Sequence, residues 1–152
     1  MKRCIALTHS FEPLYDTDSR VLILGSFPSA KSREMNFFYG HPQNRFWRVT
    51  AAITGDPVPT TIEEKKAFLH RSHIALYDTI YQCEIIGSSD ASIRNVVPTD
   101  LQCILEAAPI SQIFCNGTVS FSLFCKYQEP RLHRSAIKLP STSPANASFS
   151  LE

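Results

Sequence analysis

Residues 20–25, RVLILG, carry an unbroken apolar run closed by glycine. An amphipathic strand would alternate apolar and polar residues, so a continuous run predicts a strand buried on both faces. Such strands sit inside parallel sheets, with helices covering each side. IALYDTI (74–80) and SQIFCNG (111–117) are further runs of this kind, and AIKLPSTSPANA (136–147) reads as a fourth strand leaving into a Pro/Ser loop.

Helical signals lie between them. NRFWRVTAAI (44–53) places Phe46, Val49 and Ile53 at helical spacing. TIEEKKAFLHRS (61–72) starts with Thr, has Glu in its first turn and ends basic, which predicts a capped helix. TDLQCILEAA (99–108) reads as a helix capped by Thr99 or Asp100, and VSFSLFCKY (119–127) as another. Strands alternating with helices predict an α/β fold with a mostly parallel sheet. The chain has 152 residues without internal repeat, low-complexity tract or long linker. That length predicts a single domain, 1–152, with one sizeable core.

Hydrophobic content of 43% with 19% charged residues is globular composition. A net charge of +1 gives no bulk pull on nucleic acid, so any phosphate binding needs a local basic patch. Lys31, Arg33, Arg45 and Arg48 are candidates for that patch, against the alternative of an ordinary solvated face. The five cysteines are odd in number and form no Cys-x-x-Cys pair, which favours buried free thiols in a reducing cytoplasm over a metal centre. MKRCIALTHS is too short in its apolar part for a signal peptide, and no stretch reaches membrane-spanning length. A soluble, cytoplasmic setting without membrane partner is expected. ASFSLE at the end reads as a further element that stops early.

In parallel α/β sheets ligands bind at the carboxyl ends of the strands. Three exits carry unusual loops: GSFPS, CNGT and PSTSPAN, the first and last forming one rim of a cleft if their strands are neighbours. In GSFPS, Gly25 permits a sharp turn and Pro28 stiffens it, so that backbone N–H groups around Ser26 and Phe27 can face a carbonyl or oxyanion. A plain βα turn is the competing reading, and a phosphate P-loop is excluded by the missing second glycine and Gly-Lys-Ser/Thr ending. In NFFYGHPQNRFW, Phe37, Phe38 and Tyr39 cannot all enter the core if Gly40, His41 and Pro42 break the chain at once. One of them would offer a ring to the cleft, where stacking on a nucleobase is worth about 1–3 kcal/mol. Asn44 is either a helix cap or a carboxamide that reads a base edge or a water. His41 is either a hydrogen-bonded loop residue or part of the site. LPSTSPANA has no glycine elbow and no histidine partner for a nucleophilic serine. Its hydroxyls and N–H groups suit phosphate contacts, or a solvated turn.

Taken together, LILGSFPS, YGHPQNRFW, ALYDTI…CEIIGSSDASIRN, IFCNG and LPSTSPAN resemble the uracil-DNA glycosylase superfamily from Val21 to Ala147. The hypoxanthine-type branch is most similar, and the mismatch-specific uracil/thymine branch shares the HPxNRFW region. The resemblance implies a three-layer α/β/α sandwich with a central four-stranded, mostly parallel sheet. It implies a monomer without metal or cofactor that acts on DNA containing deaminated bases. The damaged nucleotide would be flipped into a pocket and its N-glycosidic bond hydrolysed by water, leaving an abasic site.

The residues carry over unevenly. The resemblance makes Asn44 the catalytic amide and Tyr39 the ring that stacks on the base. Gly25, Ser26, Phe27 and Pro28 would line the pocket, with His41 and Asn116 as further lining. Ser141, Thr142, Ser143, Pro144 and Ala145 would pinch the DNA backbone, with Lys31 and Arg45 as basic contacts. Asp78, Asp90 and Asn95 fall in motif-like segments, with Asp78 and Asp90 read as caps or pocket wall. Two departures matter. Other branches place Asp or Asn at the position of Phe27 and histidine at that of Leu139. Such electrostatic groups are commonly worth ~3–4 kcal/mol each, so weak uracil excision is expected. Hypoxanthine can leave as a neutral base after ring protonation and depends less on them. The alternative is a catalytically weak or inactive nucleic-acid-binding module of the same fold. A cavity holding Tyr39 and Asn44 together, rimmed by 141–145, favours the enzyme, and one filled by Phe27 or Phe38 favours the module. A small-molecule α/β hydrolase fails for want of a nucleophile–base pair.

Overall fold

The computed structural model describes residues 4–86 and 92–144. The elements in chain order are β1 Cys4–Thr8, β2 Val21–Gly25, α1 Ala30–Met35, α2 Phe46–Thr54, α3 Ile62–Arg71, β3 Ile74–Asp78, β4 Ile80–Ile86, β5 Arg94–Pro98, α4 Gln102–Ala107, β6 Gln112–Asn116, α5 Thr118–Leu123, α6 Glu129–Leu132 and β7 Ala136–Leu139. Asp90, Ala145 and the ASFSLE ending lie outside the described residues.

Four strands form a parallel sheet in the order β3-β2-β6-β7. Leu22 and Leu24 are fully buried and Ile23 is 8% exposed. Alternate side chains point to opposite faces, so β2 is covered on both sides, as its unbroken apolar run predicts. Helices surround the sheet in a three-layer α/β/α arrangement, and one apolar cluster joins Leu22 and Leu24 to Phe46, Phe68, Ile104 and Phe124.

A second sheet, antiparallel in the order β1-β4-β5, was not anticipated. The run IALYDTI does not make one strand. β3 ends at Asp78, Thr79 alone turns the chain, and β4 starts at Ile80. The turn is pinned to β2: the Thr79 N–H donates to Gly25 O at 2.8 Å and the Ile80 N–H to Ser26 O at 3.1 Å. β4 buries Ile80, Cys83 and Ile85 while Tyr81 and Gln82 face outward. That partial alternation is the mark of a one-sided antiparallel strand, a weaker signal than a continuous run.

The helices follow their local chemistry with two corrections. α3 carries the capping box: Glu64 N–H donates to Thr61 Oγ1 at 3.0 Å and Thr61 N–H to Glu64 Oε1 at 3.2 Å. α4 starts later than expected, with Asp100 Oδ1 accepting the Gln102 N–H at 3.1 Å. Thr99 is fully buried and donates its hydroxyl to Asp78 O instead of capping. α2 buries Phe46, Trp47, Thr50 and Ala51, whereas Ile53 is 78% exposed. The core-facing stripe is therefore rotated from the expected one, because Trp47 rather than Val49 and Ile53 meets the core. The 119–127 helix is α5 followed by a π turn over Phe124–Gln128. Among the described residues no helix is long and apolar enough to cross a membrane.

Candidate active site

The carboxyl ends of β2, β6 and β7 and the 36–45 loop enclose a cavity of about 310 Å³, at the small end of ligand pockets. β6 separates β2 from β7, so the GSFPS and PSTSPAN loops do not leave adjoining strands; both still border the same space. Gly25, Ser26, Phe27, Pro28, Tyr39, His41, Asn44 and Asn116 line it together with Lys31 and residues 141–144, while Arg45 does not. Phe27 and Phe38 form wall and do not fill it. Phe38 is 3% exposed in the main core, and Phe27 packs with Ile80, Cys83 and Ile85 where the two sheets meet.

Asn44 sits just ahead of α2. Its Oδ1 accepts the Phe46 N–H at 2.9 Å and the Thr142 hydroxyl at 2.8 Å. Two donors on the oxygen fix which way the amide faces, and its Nδ2 is left as a donor without partner among the described residues. The cap reading therefore holds for the oxygen, which accepts the first N–H of α2, and the nitrogen is not used in capping. Thr142 ties the arrangement together. Its Oγ1 accepts from Asn116 Nδ2 at 3.0 Å, and its own N–H donates to Asn116 Oδ1 at 3.0 Å. Asn116 can reach there because Gly117 follows it with φ 102°, where a Cβ would also meet Ser141 at 3.1 Å.

Tyr39 is held in the left-handed region at φ 50°. Such strain costs about 1–3 kcal/mol and persists only where the surroundings impose it. Here its ring lies on Phe46 at 4.1 Å and 15°, and its carbonyl accepts the Trp47 indole N–H at 3.2 Å. Its hydroxyl is sequestered from solvent without a well-formed hydrogen bond among the described residues. Burial, then the negative charge of Asp78, pushes the phenol well above its ordinary proton affinity, although the nearby Asn116 side chain pulls the other way. Tyr39 is thus a neutral ring at the cavity wall. His41 is exposed at the rim, its Nδ1 accepting the Gln43 N–H at 3.1 Å.

Gly25 owes its place to a neighbour rather than to a turn with positive φ. A Cβ there would stand 2.4 Å from Asp78 Oδ1. Asp78 is paired with Gly25 across β3 and β2, lines the cavity and is 5% exposed. Its other oxygen, Oδ2, is 2.7 Å from His9 Nε2. No sequence signal pointed to His9, a lone histidine in LTHS. Asp78 was visible only as a pocket-wall candidate.

The basic residues take different positions. Lys31 is exposed, 3.5 Å from Glu34. Arg33 donates to Pro28 O at 2.7 Å and stiffens the first loop. Arg45 is half-buried and turned to the last loop: its backbone N–H donates to Thr142 O at 2.9 Å and its guanidinium to Ser143 O at 3.1 Å.

The sequence and fold are similar to those of known proteins. The family model "Uracil DNA glycosylase superfamily" matches residues 12–151. The chain belongs to that superfamily. A hypoxanthine DNA glycosylase of Methanosarcina acetivorans is 31% identical over 149 residues, 95% of this chain and 91% of the relative. A hypoxanthine DNA glycosylase of Methanosarcina barkeri is 30% identical over 112 residues, 72% of this chain and 71% of the relative. The solution NMR structure of a candidate uracil DNA glycosylase from M. acetivorans superposes with a TM-score of 0.79 at 29% identity, covering 98% of this chain and 89% of the other. In this chain an apolar ring, Phe27, precedes the proline of the first loop, and Leu139 precedes Pro140-Ser141. The cavity's polar groups are amides, hydroxyls, the Asp78 carboxylate, the His41 imidazole and the Lys31 ammonium.

Proposed function

We propose that this protein is a monofunctional DNA glycosylase for deaminated bases, with hypoxanthine the preferred base and uracil a weaker one. The observation that carries the reading is Asn44, whose amide is locked by Phe46 and Thr142 with its nitrogen unpartnered among the described residues, in one cavity with Tyr39. The damaged nucleotide turns out of the duplex, and its base lies against the Tyr39 ring. The C1′–N bond breaks with its electron pair passing to the base. A water oxygen bonds to C1′, its proton is released, and an abasic site remains. Because the Asn44 oxygen is already engaged, Asn44 acts as a donor: its Nδ2–H stabilises charge that develops on the departing base. The backbone N–H groups of the 25–28 turn supply the remaining donors. The 141–144 loop, held by Arg45 and Asn116, supports the duplex beside the cavity.

The test is base release. Labelled duplexes carrying hypoxanthine, uracil, xanthine or thymine are incubated with the protein, and abasic sites are cleaved with alkali. Scission is expected at hypoxanthine first. Asn44→Ala is expected to lower it about 100-fold or more, the range for loss of a preorganised donor. Full activity in Asn44→Ala, or a folded protein that shifts DNA and releases no base, would refute the proposal.

A further inference from the structure

Ser120, Phe124 and Gln128 follow one another at a spacing of four and are buried, at 1%, 0% and 1% exposure. In an α-helix that spacing drifts by about 40° per step. The π turn over Phe124–Gln128 is wider and takes the drift back, so Gln128 faces the sheets as Ser120 and Phe124 do. Pro130, just beyond, has no N–H for an α-helical bond, and the register changes ahead of it. An amide enclosed at such a place is costly unless it is bonded. Gln128 Nε2 donates to Thr79 O at 3.2 Å and to Thr99 O at 3.0 Å, with Thr99 Oγ1 3.3 Å away.

These carbonyls lie where the two sheets meet. Thr79 stands between β3 and β4, Thr99 follows β5, and the Thr99 N–H also donates to Thr79 O at 3.1 Å. The 79–80 turn in its turn holds the first cavity loop, through Gly25 O and Ser26 O. In a trans peptide the C=O and the following N–H point in opposite directions. With both carbonyls drawn to the 79–80 turn, the Ser26 and Phe27 N–H groups are turned away from it.

We propose that Gln128, which does not line the cavity, is a positioning residue for base release. By fixing the Thr79 carbonyl it sets the 79–80 turn, and that turn aims the Ser26 and Phe27 N–H groups at the departing base. The proposal rests on the glycosylase reading above, in which the 25–28 turn supplies backbone donors. Donors of this kind act because they are fixed before charge develops. Loosening the brace therefore slows release and leaves duplex binding, which falls to other loops, nearly unchanged.

Gln128→Met keeps the length of the side chain and deletes its amide. Gln128→Glu keeps the shape, and its carboxyl donates one bond when protonated and none when ionised. Single-turnover release from a hypoxanthine duplex is followed over a range of protein concentrations, which separates the saturated rate from the half-saturating concentration. Gln128→Met is expected to lower the saturated rate about 30-fold, less than the ~100-fold that a displacement of about 1 Å can cost. The half-saturating concentration is expected to change by less than about twofold. Burial raises an introduced carboxyl, so Gln128→Glu is expected to regain about tenfold in rate relative to wild type between about pH 8 and about pH 5.5, a gain absent from Gln128→Met. In isotope-labelled protein the amide NMR signals of Ser26 and Phe27 are expected to move in Gln128→Met. A wild-type rate in folded Gln128→Met overturns the proposal, as does a loss carried by the half-saturating concentration alone, which a general loosening of the DNA-contacting surface would give. If Gln128→Met does not melt cooperatively, Gln128→Glu decides, and absence of the recovery at low pH overturns the proposal. Unmoved Ser26 and Phe27 signals overturn it without any measurement of activity. Moved signals, in a protein whose wild type releases no base from any duplex, leave the brace standing and remove the glycosylase reading.

Discussion

Replacing Thr142 with Val isolates the bond that holds Asn44. The change keeps the shape of the side chain and deletes its hydroxyl. Two side-chain bonds go with it, from Asn116 Nδ2 at 3.0 Å and to Asn44 Oδ1 at 2.8 Å. The two backbone bonds of Thr142 remain, its N–H to Asn116 Oδ1 and its carbonyl from the Arg45 N–H, so the loop stays in place. At about 1 kcal/mol net per bond, stability falls by about 2 kcal/mol. Asn44 keeps the Phe46 N–H as its only donor and samples orientations in which its nitrogen leaves the cavity. A loss of about tenfold in the single-turnover rate of hypoxanthine release corresponds to about 1.4 kcal/mol of lost orientation. Thr142→Ser restores the hydroxyl and should recover most of the rate. The assay is single-turnover scission with protein in excess over a hypoxanthine duplex, paired with a thermal melt. A Thr142→Val protein that is destabilised but releases hypoxanthine at the wild-type rate would refute the claim that this hydroxyl orients Asn44.

Further outcomes follow from neighbouring features. Gly25→Ala would place a methyl group 2.4 Å from Asp78 Oδ1, so the carboxylate must move off His9. A loss of about 1–3 kcal/mol in chemical denaturation is expected, with activity falling further than stability alone explains. Thr61→Ala removes the α3 capping box, far from the cavity, and should cost about 1 kcal/mol with base release unchanged. Hydrogen bonds from Thr60 and Thr61 hold the Glu64 carboxyl below its ordinary 4.5. Its contribution is therefore fully present above that pH and is lost as the pH falls through the lowered value; acid titration of Thr61→Ala should show a flatter loss than wild type. Burial pushes the Cys115 thiol up to about 12, so native protein at pH 8 should resist iodoacetamide at Cys115 and react there only after unfolding, as mass spectrometry of the peptide would record.

The parallel sheet was legible because both-face burial leaves an unmistakable run, RVLILG, and because strand exits are where such sheets bind ligands. α3 was legible from Thr61 and Glu64, since a capping box is a local bond pattern. The residues around the cavity could be named from their loops, but not their contacts. Nothing in PSTSPAN tells that one threonine hydroxyl joins two asparagines from different loops. The second sheet was missed because β4 alternates only in part and its partner β1 is distant in sequence. His9 was missed for a related reason. It reaches Asp78 because the chain after β1 continues beside β4, with the His9 N–H donating to Tyr81 O at 2.6 Å. No spacing rule spans 69 residues.

The single residue Thr79 between β3 and β4 joins the two sheets without slack. Phe27, Ile80, Cys83 and Ile85 close the space beneath it. The antiparallel sheet is therefore not an appendage that can loosen by itself: opening it pulls the 78–80 turn from Gly25 and Ser26 and tilts the carboxylate beneath the cavity. The two sheets should then exchange amide hydrogens as one cooperative unit, and occupancy of the cavity should slow exchange in β4, whose outer face no base touches. Substitutions that relax the antiparallel sheet would be felt first as weakened base recognition, long before the protein unfolds.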